Sequence, residues 1–344
     1  MRVRASFDPS APPSKSPYRL LRDDKAYEVD WANEFLDAQR LRGLSLRSLR
    51  AYAYDLVNLA RWFAVASIEL SGLTEGELIG YIHYQLEHQV RPAPRTINHR
   101  LSVAICLYRF HYGREIPAQG RSHNCAFTIS PPFGYARRRR VLRRLGVKVP
   151  RCIVVPLTAQ EVAQFWSGFR TFRDLGIVAL MLFNGLRSCE ILSLKLEDLR
   201  FAQSQMLVQG KGNRQRLLPL DLETIKLLEN YLNVERPRTN SCFVFVVLKG
   251  PNRGKPLSPA GLRTVFRHHR RISSVSNANP HRFRHTFGAD MVRAGISLPA
   301  LMRLMGHSHI HTTMLYVQLC PQDVWREFHR AIQSRGRPPL PETT

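Results

Sequence analysis

His281-Arg282-Phe283-Arg284-His285-Thr286-Phe287, followed by Leu304-Met305-Gly306-His307, then Thr312-Thr313 and Tyr316, is the stretch of this sequence that decides the fold. His281 and Arg284 are three apart and therefore share one helix face. Phe283 and Phe287 give the same helix an apolar face, which turns the basic residues elsewhere. Gly306 is suited to end a helix, which places His307 in the break. Tyr316 follows on the next helix. Taken singly, each feature has an ordinary explanation: a basic surface helix, or a helical tyrosine whose hydroxyl is satisfied in the core.

Working upstream, Met206 to Val208 and Leu217 to Leu220 read as two short strands. They are joined by Gly210-Lys211-Gly212-Asn213-Arg214, so they predict a hairpin. Asn184-Gly185 stops a helix predicted over Phe172 to Phe183, and Arg187 and Glu190 follow that stop. Further helices are predicted near 222–234, 259–271, 282–294, 298–305 and 309–319, with a capping box at Thr158 and Glu161 opening the region. In the N-terminal third, Leu46, Leu49, Ala53, Leu56, Leu59, Ala60 and Phe63 recur at helical spacing after Ser45. Thr74 and Glu77 predict another capping box, and Ile97, Leu101, Ala104, Ile105 and Tyr108 another helix. The fold class is mainly α with a small antiparallel β-sheet: an N-terminal helical domain and a C-terminal α+β domain.

The 344 residues carry 51 Lys and Arg against 26 Asp and Glu, a net charge of +25. Such an excess points to a polyanionic partner. No apolar run suits a membrane span, and the basic segments have no strongly apolar opposite face, so DNA is favoured over a membrane surface. From Ile116 to Gln160 there is no acidic residue, while Arg121, Arg137, Arg138, Arg139, Arg140, Arg143, Arg144, Lys148 and Arg151 fall there. With Pro131, Pro132, Gly134 and Gly146, this reads as a basic interdomain linker lying along a phosphate backbone. Arg47, Arg50, Arg95 and Arg100 stand near helix starts and are candidate phosphate contacts. Six scattered cysteines without a Cys-x-x-Cys pair are expected to be reduced thiols in the cytoplasm.

The order of Arg187, Lys211 on a hairpin, His281-x-x-Arg284, Gly306-His307 and Tyr316 resembles the tyrosine recombinase (phage integrase) family. Residues 27 to about 334 share the resemblance, the N-terminal helices with the family's core-binding domain. The resemblance implies catalytic roles for Arg187, Lys211, His281, Arg284, His307 and Tyr316. Arg187 and Arg284 suit charged phosphate oxygens, because guanidinium forks bind them bidentately. His307 is expected to add a hydrogen bond and Tyr316 to be the nucleophile. A tyrosine with a pKa of about 10 needs help to deprotonate, for which His281 is the candidate. Lys211 is expected to protonate the leaving 5′ oxygen. Glu190 is expected to orient the cationic side chains from behind. Neither metal nor cofactor is implied.

The expected organisation is an arm over 1–24, a core-binding domain over 25–115, a linker over 116–155, a catalytic domain over 156–320 and a helical tail over 321–344. The partners implied are double-stranded DNA bearing paired recombination sites and further copies forming a tetramer, with sister recombinases open. The setting implied is the nucleoid, with a mobile element as the expected client. Val324, Trp325, Phe328, Ala331 and Ile332 make an apolar face that is expected to dock on a neighbouring protomer. Three alternatives remain at this point. His309-Ile310-His311 suggests a metal-dependent tyrosine nicking enzyme, although residues two apart diverge on a helix. A type IB topoisomerase shares the chemistry, and a non-catalytic DNA-binding protein shares the charge.

Overall fold

A computed structural model of the chain describes residues 3–22, 27–117, 145–150, 155–210, 214–307, 310, 313–314, 328–329 and 332–333. The chain divides into two units, Met1–Arg151 and Cys152–Thr344.

The first unit holds β1 (Val3–Phe7), β2 (Tyr18–Arg22), β3 (Tyr27–Glu28), α1 (Asp30–Leu41), α2 (Leu46–Ala66), α3 (Glu75–Leu86) and α4 (Pro94–Tyr112). Ser45 caps α2 by accepting the Ser48 N–H at 3.2 Å. Thr74 caps α3 in the same way through Glu77 N–H at 3.2 Å. Only this half of the expected Thr74–Glu77 box is formed. Leu49, Leu56, Tyr81, Ile97, Leu101 and Leu107 close the core between the helices.

The expected arm over 1–24 is corrected by the structure. β1, β2 and β3 form an antiparallel sheet in that order, with Val3 opposite Arg22 and Phe7 opposite Tyr18. Val3 and Leu20 are fully buried in the same core as α1 and α2. The anchors are polar and distant in sequence. The Asn33 amide accepts from Leu20 N–H at 2.8 Å and donates to Leu20 O at 3.1 Å, standing in for a neighbouring strand. Asp37 accepts from Ser16 N–H at 2.7 Å and from Arg19, and Arg61 donates to Val3 O at 3.1 Å. The prolines that suggested an arm fall in the loop between β1 and β2.

The linker expected over 116–155 is described only in part. Residues 118–144 and 151–154 lie outside the described residues, and with them Arg137, Arg138, Arg139, Arg140, Arg143 and Arg144. Residues 145–150 return to the first unit, where the Asn98 side chain clasps Val147 through two hydrogen bonds of 2.8 Å.

The second unit holds α5 (Ala159–Ser167), α6 (Phe172–Leu182), α7 (Ser188–Ser193), β4 (Leu199–Arg200), β5 (Gln205–Gln209), β6 (Gln215–Pro219), α8 (Leu222–Asn230), α9 (Pro259–Ser273), α10 (Pro280–Arg293) and α11 (Leu298–Met305). The Thr158–Glu161 capping box is complete. β4, β5 and β6 make the second antiparallel sheet, with Val208 opposite Arg216 and Met206 opposite Leu218. Phe165, Ile177, Met181, Met206, Val208, Leu218 and Phe283 belong to one buried cluster that sets α6, α10 and the hairpin against each other. Of the helix expected over 309–319, residues 310, 313 and 314 are described and helical, whereas His309, His311 and Tyr316 lie outside the described residues. Of the tail's apolar face, Phe328 and Ile332 are described, and both are exposed.

If the N-terminal hairpin is part of the core, Leu20→Ala destabilises the protein by about 2–5 kcal/mol, as buried leucine truncations do. Urea unfolding followed by tryptophan fluorescence measures this, since Trp31 and Trp62 lie in the same unit. A change below about 0.5 kcal/mol, the size typical of surface positions, would return residues 1–24 to the status of an arm.

Candidate active site

The site forms where the turn after α6, the start of α7, strand β6 and the end of α11 meet. Gly185 takes a left-handed conformation, φ +64°, and a Cβ there would lie 2.4 Å from the Phe287 ring. Glycine therefore lets the chain turn tightly over α10 and deliver Arg187 to the first turn of α7. Glu190, one helical turn on, accepts the Arg187 N–H at 2.9 Å.

Glu190 is buried, with 2% of its side chain exposed. Its Oε1 accepts from Arg187 Nη1 at 2.8 Å and from Arg216 Nη1 at 3.0 Å. Its Oε2 accepts from Arg216 Nη2 at 2.9 Å and lies 3.9 Å from Arg284 Nη1. Burial by itself raises the pKa of this carboxyl. The hydrogen bonds and charge of Arg216, followed by the backbone N–H and charge of Arg187, outweigh burial and hold it below the ordinary value.

The same three arginines cap α11. A helix ends with carbonyls that have no partner within it. Gly306, at φ +61°, turns the chain so that Gly306 N–H and His307 N–H reach back to Arg303 O at 3.2 Å and Met302 O at 3.0 Å. The next three carbonyls each receive an arginine. Arg216 Nε donates to Leu304 O at 2.9 Å, Arg284 Nη2 to Met305 O at 2.6 Å, and Arg187 Nη2 to Gly306 O at 3.3 Å. Cations at this end also oppose the negative pole of the helix dipole. Arg284 additionally donates to Gly185 O, so it ties the α6 turn to the α11 turn.

His307 Nε2 lies 3.0 Å from Arg284 Nη2, and its Nδ1 lies 2.9 Å from Thr313 Oγ1. A guanidinium only donates, so Nε2 is an acceptor and the proton of the neutral ring sits on Nδ1. Burial, then the charges of Arg284, Arg187 and Arg216, push the His307 pKa down to about 4, which keeps the ring neutral at pH 7. His281 Nε2 meets His285 Nε2 at 2.9 Å. Burial and the charge of His281 press His285 down to about 4. Burial, then Arg284 and Arg187, lower His281 as well.

Arg187, Glu190, Arg284 and His307 are thus brought together, and His281 sits one turn before Arg284 on α10. Arg187 keeps 34% of its side chain exposed while Arg284 keeps 3%. Lys211 lies outside the described residues; the hairpin that contains it closes with Gly210 N–H donating to Arg214 O at 2.7 Å. Among the described residues no group of three His, Cys, Asp or Glu side chains is placed to hold a metal ion. In the first unit Arg47, Arg50 and Arg95 are exposed. Arg100 is turned inward instead, donating to Gln85 Oε1 at 3.0 Å and lying 3.6 Å from Asp55.

Sequence reasoning missed Arg216. The signal was present: β6 alternates, and Arg216 shares the inward face with buried Leu218. A charged residue in that register requires a buried partner, which is Glu190.

These elements define a mainly helical class with small antiparallel sheets and a cationic turn in its second unit, and comparison supplies the family. The phage integrase family model matches residues 156–332. Tyrosine recombinase XerD of Xanthomonas axonopodis pv. citri is 26% identical over 308 residues, 86% of this chain and 94% of that protein. Tyrosine recombinase XerA of Pyrococcus horikoshii is 30% identical over 185 residues, 54% of this chain and 64% of that protein. The fold matches XerH site-specific recombinase in a post-cleavage complex with difH, with a TM-score of 0.63, 17% identity and coverage of 86% of this chain and 83% of that one. It also matches the Tn1549 transposon integrase in complex with transposon end DNA, with a TM-score of 0.64, 16% identity and coverage of 88% and 99%. The chain belongs to the phage integrase family. It is a tyrosine recombinase, an enzyme that breaks and rejoins DNA. No described helix is long and apolar enough to cross a membrane.

Replacing Glu190 with Gln leaves the guanidiniums of Arg216 and Arg284, both largely buried, and that of the partly exposed Arg187 without their countercharge. Glu190→Gln is expected to cost about 3–5 kcal/mol, the usual penalty for breaking a buried pair on one side. Chemical denaturation at pH 7 reads this directly. A stability equal to the wild type would show that the arginines do not depend on the carboxylate.

Proposed function

We propose that this chain binds paired sites on double-stranded DNA as a tetramer, in the cytoplasm at the nucleoid, and exchanges strands through a 3′-phosphotyrosine on Tyr316. The observation that carries the reading is the convergence of Arg187, Arg284 and His307 on the turn at Gly306, around one buried carboxylate. The excess of basic residues and the DNA complexes of the matched recombinase and integrase support the choice of partner.

The chemistry follows from charge. In-line attack on a phosphodiester builds negative charge on the non-bridging oxygens, and positioned cations lower that barrier. Arg187, the exposed member of the cluster, meets those oxygens first. Its Nη2 bond to Gly306 O is long at 3.3 Å and exposed, so a phosphate oxygen displaces that carbonyl readily. Arg284 acts from beneath as a buried charge and as the holder of His307. When Arg284 turns a donor toward phosphate, Nε2 of His307 is released; the ring proton then moves from Nδ1 to Nε2, Thr313 Oγ1 donates its hydrogen to the vacated Nδ1, and Nε2–H donates to the same oxygens. Tyr316 attacks, with His281 drawing off its proton. His281 is suited to this because burial and two arginines favour its neutral, proton-accepting form. Lys211 protonates the departing 5′ oxygen. The phosphotyrosine conserves the energy of the broken bond, and a 5′ hydroxyl from a partner strand reverses the step without ATP. Arg47, Arg50 and Arg95 of the first unit, together with the linker arginines, bind the backbone of the same duplex.

Incubation with a nicked suicide substrate, in EDTA, followed by denaturing electrophoresis tests the assignment. The wild type should form a covalent adduct at a 3′ phosphate, releasing a 5′ hydroxyl. Tyr316→Phe should bind the half-site within about twofold of the wild type, since the hydroxyl supplies chemistry rather than affinity, and form none. An adduct in the variant would move the nucleophile elsewhere. Loss of the wild-type adduct in EDTA, or a 5′ linkage, would favour a metal-dependent nicking enzyme.

A further inference from the structure

We propose that Arg216 is a positioning residue that holds the β5–β6 hairpin in register with the His307 turn, an assignment that rests on the proposed recombinase chemistry. Arg216 leaves β6 on its inward face, and only 13% of its side chain is exposed, so it is poorly placed to touch DNA. All three of its guanidinium nitrogens are committed: Nη1 and Nη2 to the two oxygens of Glu190 at 3.0 and 2.9 Å, and Nε to Leu304 O at 2.9 Å.

Two glycines border this guanidinium. A Cβ on Gly306, the residue before His307, would lie 2.9 Å from Nη1. A Cβ on Gly210, the residue before Lys211, would lie 3.5 Å from the same atom. The guanidinium is therefore packed between the backbone leading to the leaving-group acid and the backbone leading to the phosphate-binding turn. It is bolted at the same time to the carboxylate that holds Arg187. Two parts of the chain far apart in sequence have to approach one phosphodiester from different sides, and a rigid planar fork with three fixed bonds sets their spacing. Lysine keeps the charge and has three donors, but they radiate from one nitrogen and cannot reproduce a planar fork on Glu190 together with the Leu304 bond. Misplacement by about 1 Å, without removal of any reacting group, costs about a hundredfold in rate.

The test uses the full-length chain with Arg216→Lys, and Arg216→Gln as a second variant in case the first does not fold, with folding checked by thermal melting. Single-turnover adduct formation is measured on three nicked substrates: the natural phosphodiester, one with a 5′-bridging sulfur, and one with a methylphosphonate at the scissile position. Sulfur leaves without a proton and relieves the hairpin's task. The methylphosphonate has one charged oxygen fewer and relieves the turn's task. We expect a folded variant with near-normal half-site binding, about a hundredfold slower on the natural substrate. Its deficit should shrink at least tenfold on each modified substrate, because each removes one of the two demands that Arg216 aligns. A deficit of equal size on all three substrates would reduce Arg216 to a structural role, and no deficit at all would remove it from the mechanism. Relief on one modified substrate alone would confine it to one arm and overturn the pin between two. If the wild type itself forms no adduct on the natural substrate, the recombinase chemistry fails and the assignment with it; a cleaving wild type with an unrelieved variant overturns the assignment alone.

Discussion

The carboxylate of Glu190 is the contact on which the rest of the site depends. Three guanidiniums within a few ångströms of each other repel, and burial raises the cost of each. A single buried anion offsets that repulsion and gives the arginines a common point of attachment. Their remaining donors then reach the successive carbonyls at Leu304, Met305 and Gly306, which the end of α11 leaves open. One negative charge against three positive ones leaves the cluster cationic. The carboxylate therefore makes the assembly stable without cancelling the charge that a phosphate requires.

The backbone is shaped to permit this convergence. Gly185 and Gly306 both take left-handed conformations at points where a side chain would strike Phe287 or Arg216. Arg284 joins the two turns, since it donates to a carbonyl of each. His307 is held in the same network, with its tautomer set by the guanidinium on one side and Thr313 on the other. The electrostatics of the site and its geometry thus have one origin.

Much of this was legible in the sequence. The helix caps at Ser45 and Thr158, the β5–β6 hairpin and the α11 stop at Gly306 are local signals, written within a few residues of where they act. Arg187, Glu190, Arg284 and His307 were found because their order resembles a family. Their shared use of α11 carbonyls was not visible, since no local pattern says which distant carbonyl a guanidinium will reach. Arg216 was missed although its alternation with Leu218 marked it as inward-facing. The N-terminal sheet was missed for a related reason: its anchors are Asn33, Asp37 and Arg61, polar residues on helices that look like ordinary surface positions. Arg100 illustrates the converse, a basic residue read as a phosphate contact whose partners are Gln85 and Asp55.

Attraction to the arginines exceeds the burial penalty on Glu190, which keeps the carboxylate ionised at pH 7. Titration of ¹³C-labelled glutamate carboxyls by NMR, with the Glu190 signal assigned from the Glu190→Gln variant, measures the balance of these two terms. The expected pKa lies below the ordinary glutamate value of about 4.3. A value at or above it would mean that burial dominates, and that the three arginines are held by something other than this carboxylate.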